Sequence, residues 1–79
     1  MKVVLAKVDQ VYFDGEAKSL TAPGAEGEVT VLGQHMPLIT TLKPGVVTIR
    51  AEALPGGEQQ FPIEGGILEV RRDGATIIL

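Results

Sequence analysis

Gly65-Gly66-Ile67-Leu68-Glu69-Val70-Arg71-Arg72-Asp73-Gly74-Ala75-Thr76-Ile77-Ile78-Leu79 is the stretch on which the fold turns. Asp-Gly is among the best two-residue hairpin turns, because a tight type I′ turn asks both central residues for positive φ. The runs on either side, Ile67–Val70 and Ala75–Leu79, are short, apolar and rich in β-branched residues. They predict two antiparallel strands joined at Asp73-Gly74. The final Ile77-Ile78-Leu79 is bare of charge. Such an end is expected of a strand central to a sheet, or of a chain cut short of its natural end.

Working outward, the same grammar continues. Ten Gly and five Pro break the chain at short intervals, so no window sustains a helical period. Val, Ile and Thr supply 9 + 6 + 6 = 21 residues, and these types favour a pleated surface. Strands are predicted at Lys2–Val8, expected to be covered on both faces, and at Glu16–Ala22, opened by Gly15 with Ala17 and Leu20 inward. Pro23-Gly24 is read as a turn. Glu28–Leu32 follows, with Val29 and Val31 on one face by the two-residue period. After the Gly33–Met36 loop, Pro37 starts Leu38–Leu42. Lys43-Pro44-Gly45 is a turn signal, since Pro presets φ and Gly accepts positive values. Val46–Glu52 alternates, Leu54-Pro55-Gly56-Gly57 is a hairpin tip, and Gln59–Glu64 is an edge strand because Pro62 lacks an N–H. About eight short strands result, with turns every 8–12 residues or so, which is the pattern of an all-β sandwich or flattened barrel.

Composition narrows the function. With 79 residues the chain makes one domain at most, spanning residues 1–79. There is no Cys, which excludes disulfide scaffolds, zinc ribbons and thiol nucleophiles. A net charge of −3 and 4% aromatic residues argue against nucleic acid, which needs a basic groove with stacking platforms. The longest stretch free of ionisable charge, Val29–Leu42, falls short of the roughly 20 apolar residues of a spanning helix. The apolar run at the N-terminus is too short for a signal peptide and Lys7 interrupts it. The expectation is a soluble, cytoplasmic-type protein that reaches a membrane only through a partner.

Candidate chemistry is sparse. His35, the only His, has no Ser beside it, and Ser19 is the only Ser in the chain. A general base needs a companion within hydrogen-bond reach, so His35 reads as a loop or interface residue. Glu26-Gly27-Glu28 places two carboxylates in a turn. They suit a solvated loop end or a protein contact better than a metal or acid–base pair. Gly24-Ala25-Glu26-Gly27 lacks the Gly-Lys-Ser/Thr ending and the helix that make a phosphate loop. Lys43 sits in a turn, but the Pro behind it does not suit a carrier lysine. No cofactor or metal is implied. What is left is a small β-rich interaction module without an active site of its own. The alternative is a free-standing β-sandwich that binds a ligand or protein, for which Tyr12, Phe13 and Phe61 would be the only aromatic walls.

Taken in order, Phe13-Asp14-Gly15-Glu16-Ala17, Pro23-Gly24, Gly27-Glu28-Val29-Thr30-Val31-Leu32, His35, Pro37-Leu38, Leu42-Lys43-Pro44-Gly45 and Gly65–Val70 form a set. The set resembles the N-terminal β-domain of the epsilon subunit of F-type ATP synthase, over nearly the whole chain. The resemblance implies a flattened sandwich of two stacked antiparallel sheets with eight to ten short strands. It implies a non-catalytic place in the rotating central stalk, against the gamma subunit and the c-ring, on the cytoplasmic face of a bacterial plasma membrane. Carried over by position, Glu26, Glu28 and His35 would face the c-ring, and Lys7, His35 and Thr40 would face gamma. Nothing in the 79 residues matches the C-terminal helical hairpin that members usually carry, so the hairpin's inhibition and ATP binding are not expected. The chain is then either a natural short form or a truncated one.

Overall fold

The computed structural model describes residues 1–33 and 36–79. His35 therefore lies outside the described residues. Among those described there are nine strands: β1 (Lys2–Lys7), β2 (Gln10–Glu16), β3 (Ser19–Gly24), β4 (Gly27–Leu32), β5 (Leu38–Leu42), β6 (Gly45–Arg50), β7 (Glu58–Ile63), β8 (Gly66–Arg71) and β9 (Gly74–Ile78). A short 3-10 turn at Pro55–Gly57 precedes β7.

The strands run in the order β2-β1-β9-β8-β5-β3-β6-β7, with β4 on the other side of β3. Two layers arise from this single path. β2, β1, β9, β8 and β5 make one; β4, β3, β6 and β7 make the other. They join where Gly24 of β3 pairs with Leu42 of β5, and there the sheet curls over itself. Inward residues of both layers meet in one cluster: Val3, Leu5, Leu68, Val70, Ala75 and Ile77 from the first, Leu20, Ala22, Val31, Val47 and Ile49 from the second. Among the described residues the core contains no polar side chain.

The two predicted strands form a hairpin, but its two-residue turn is Arg72-Asp73 rather than Asp73-Gly74, because Gly74 already opens β9 opposite Arg71. β8 and β9 pair from Ile67↔Ile78 to Arg71↔Gly74, and β9 lies between β8 and β1, in the middle of its layer. β9 and β1 are parallel, whereas the family resemblance suggested antiparallel pairs throughout. β7 is an edge strand, as Pro62 required.

Three expectations shift. The first is β2. Val11-Tyr12-Phe13 is three apolar residues in a row and hides the two-residue period. The reason is a bulge: Leu5 faces Phe13 and Ala6 faces Val11, so Tyr12 is the extra residue. The turn into β3 accordingly falls at Ala17-Lys18 rather than Gly15. The second is Pro23-Gly24, which belongs to β3 and pairs with Glu28 and Gly27; the turn itself is Ala25-Glu26. Pro is tolerated there because β3 changes neighbour, from β6 at Thr21 to β5 at Gly24, leaving no ladder bond for the missing N–H. The Pro23 carbonyl still accepts from the Lys43 N–H at 2.9 Å. The third is β1: its inward face is buried, but Lys7 and Val8 are exposed.

Ion pairs sit on the surface. Lys2 Nζ lies 3.1 Å from Asp14 Oδ1, both side chains about half exposed. Such pairs contribute about 0–1 kcal/mol. Asp14→Asn is expected to change the unfolding free energy by no more than that, as urea denaturation would measure.

Candidate functional site

The hairpin β3–β4 carries the two acidic candidates. Glu26 is in its two-residue turn and Glu28 is the second residue of β4, and both are exposed. Gly24 makes this tight turn possible: a Cβ there would stand 2.6 Å from the Gly27 carbonyl oxygen. The turn is tied to β5, because the Ala25 N–H donates to the Thr41 carbonyl at 2.9 Å. The structure thus brings Glu26 and Glu28 close to Thr40, the neighbour of Thr41. Thr40 is half-buried, pairs with Leu68, and its hydroxyl donates to the Thr41 carbonyl at 3.2 Å. Lys7 lies at the far end of the layer, at the close of β1, three strands from β5.

A surface feature joins these separated positions, and the sequence pattern did not single it out. On the outer face of the first layer, Thr41 pairs with Ile67, Ile67 with Ile78, Ile78 with Ala6, and Ala6 with Val11. Directly opposed residues share a face, so these five form one row across five strands. Four strand spacings make it roughly 19 Å long. Val11 is 61% exposed, and Ile67 and Ile78 about half. Val8, at the tip of the β1–β2 turn, is wholly exposed. The next row is more polar: Ile39, Glu69, Thr76, Val4 and Asp14. There Arg71 Nη1 donates to Glu69 Oε1 and to Thr76 Oγ1, both at 3.0 Å. Thr40 and Lys7 are chain neighbours of the row members Thr41 and Ala6, but strand alternation sets them on the opposite face, Thr40 opposite buried Leu68. The signal that would have found the row is register, which no local pattern carries.

The ligand-binding alternative meets a shallow groove between β2 and β7, lined by Leu5, Tyr12, Phe61, Pro62 and Leu79. Its volume is near 250 Å³. Two wider and more open depressions, near 440 and 460 Å³, are lined by Lys18 and Glu52 and by Thr21 and Arg50 among others, and neither has an aromatic wall. Among the described residues no group of three or more His, Asp and Glu side chains is gathered as a metal requires. No helix among them is long and apolar enough to cross a membrane.

An apolar core, an apolar outer row and an acidic hairpin tip define a β-sandwich interaction domain. The chain belongs to the family of the ATP synthase delta/epsilon chain beta-sandwich domain, whose family model matches residues 1–79. It is 38% identical over 78 residues to ATP synthase epsilon chain 2 of Burkholderia orbicola, covering 99% of this chain and 51% of that one. The ATP synthase epsilon chain of Mesorhizobium japonicum is 36% identical over 77 residues, covering 98% and 56%. The chain thus spans about half the length of the curated relatives it matches. Among solved structures it superposes on a chain of the Euglena gracilis mitochondrial ATP synthase (OSCP/F1/c-ring) with a TM-score of 0.84 at 28% identity, over 96% of this chain and 48% of that one. A chain of the Tetrahymena thermophila ATP synthase central stalk and c-ring shares the fold, with a TM-score of 0.78 at 21% identity, over 98% and 60%. The epsilon resemblance read from the motifs and the all-β sandwich therefore hold.

Proposed function

We propose that this domain is a non-catalytic component of the central stalk of a proton-translocating F-type ATP synthase. It binds gamma and the c-ring and couples rotation to ATP synthesis, at the cytoplasmic face of the membrane and held there by its partners. The observation that carries the reading is the row Thr41-Ile67-Ile78-Ala6-Val11. Three of its members, Ile67, Ile78 and Val11, are exposed apolar side chains, with buried Ala6 between and Thr41 at the end, and exposed apolar groups gathered in this way mark a protein contact. Gamma is assigned to it; Lys7 and Thr40, chain neighbours of row members with the opposite facing, are assigned to gamma by the family resemblance alone. The acidic tip of the β3–β4 hairpin, Glu26 and Glu28, is assigned to the c-ring loops, where exposed carboxylates set register and specificity. A torque-bearing wedge must not yield, and an all-apolar core closed by two sheet layers is stiff for that purpose.

Co-purification with the cognate gamma subunit tests the reading. A stable complex at micromolar concentration is expected, and Ile78→Asp should abolish it while leaving the circular dichroism spectrum unchanged. Free gamma and free domain eluting apart would overturn the assignment. Glu28→Lys should weaken retention on isolated c-rings several-fold. Its effect on folding stability should stay within about 0.5 kcal/mol, as for an exposed side chain without buried partners. Unaltered c-ring retention in the variant would remove Glu28 from the interface.

A further inference from the structure

Among the described residues β4 is an edge strand, and Glu28 is its one charged side chain. β7 carries Pro62 and β2 carries a bulge, two devices that blunt a sheet edge. β4, Gly27–Leu32, has neither, and among the described residues it pairs with β3 alone.

Its pairing with β3 fixes which groups are free. The two-residue turn makes Gly24↔Gly27 the first hydrogen-bonded pair of the hairpin. Antiparallel pairs alternate, so Ala22↔Val29 and Leu20↔Val31 are also bonded. The intervening pairs are the close, unbonded kind, and Thr21 Oγ1 stands 3.2 Å from Thr30 Oγ1 across one of them. Glu28, Thr30 and Leu32 therefore turn their N–H and C=O groups to the open edge. Leu32 is 58% exposed there.

We infer that this edge pairs with β4 of a second copy of the chain, antiparallel about a two-fold axis through Thr30. In that register Thr30 meets Thr30, and Glu28 meets Leu32 twice. All three residues, whose outward backbone groups pair with no strand among the described residues, are then bonded at once. Val29 comes opposite Val31 on the inner face, continuing the core row into the second molecule. The two Glu28 carboxylates are kept apart, whereas a register that aligned them would set like charges face to face. Displaced registers bond fewer of the three residues. The joined edge is small, so the dimer is weak and concentration-dependent. This inference stands apart from the central-stalk reading and needs neither gamma nor the ring.

Sedimentation velocity on the chain as it exists, from about 10 μM to about 1 mM, covers the range of such an interface. A reversible monomer–dimer equilibrium is expected. Amide exchange should slow with concentration at Glu28, Thr30 and Leu32 and not at Val29 and Val31. Thr30→Pro removes one outward N–H and no β3–β4 backbone bond, so it should leave a folded monomer. Leu32→Glu sets a carboxylate against the partner's Glu28 and should also give a monomer. Leu32→Lys makes two ion pairs across the axis and should tighten association by about twofold to thirtyfold at low salt. Should Thr30→Pro fail to fold, the opposed effects of the two Leu32 variants decide alone. A monomer throughout the range, a dimer indifferent to Thr30→Pro, or weakening by Leu32→Lys would each overturn the pairing.

Discussion

Leu68→Ala is expected to lower the unfolding free energy by about 3–5 kcal/mol. Leu68 is fully buried in β8, with Thr40 of β5 on one side and Ile77 of β9 on the other. Both neighbours are pinned by their own ladders, so little can move to fill the space that three lost carbons leave. A domain of 79 residues has a stability on the order of 4–12 kcal/mol, so the variant sits near the edge of folding. Urea denaturation followed by circular dichroism measures the loss. Ile67→Ala, one residue away on the outer face and half exposed, should cost under about 1 kcal/mol. Equal losses for the pair would mean that the inward and outward faces of β8 are misassigned.

Gly66→Val is the second large effect, and its cause is backbone rather than packing. Gly66 opens β8 with φ of 148°, a conformation that a β-branched residue resists. A Cβ at this position would stand 2.6 Å from the Ile78 carbonyl oxygen and 3.1 Å from Leu79 Cδ2. Strain and overlap together should cost about 2–5 kcal/mol. Neither can be relieved without moving β9, the middle strand of its layer. Gly33→Ala is the control: among the described residues no atom lies within 4 Å of its Cβ and its φ is ordinary, so the change should stay within about 0.5 kcal/mol. A thermal midpoint for Gly66→Val matching the parent would show that the β8 entry can adjust, against this account.

Much of this architecture was legible because local chemistry dictated it. The apolar runs Ile67–Val70 and Ala75–Leu79 marked the β8–β9 hairpin, although its turn falls one residue before Asp73-Gly74, and Pro62 put β7 at an edge. Val47, Ile49 and Ala51 alternate with exposed or half-buried neighbours as the period predicted. What stayed hidden depends on partners distant in sequence. The bulge at Tyr12 is a relation between β1 and β2, and Pro23 is tolerated in a strand only because of where β5 and β6 lie. The apolar row across β5, β8, β9, β1 and β2 draws one residue from each strand, so none of its members is conspicuous locally. Of the candidate contact residues, the fold gathers Glu26, Glu28 and Thr40 at one end and leaves Lys7 at the other.

The parallel pairing of β1 with β9 sets Val3 beside Ala75, 72 positions apart (75 − 3). On a ribosome adding about 5–20 residues per second, that partner arrives roughly 4–14 s after Val3 is made. The nascent chain meanwhile can hold the β1–β2 hairpin but cannot close its first layer. Assembly of the first layer is thus committed only once β9 has been made.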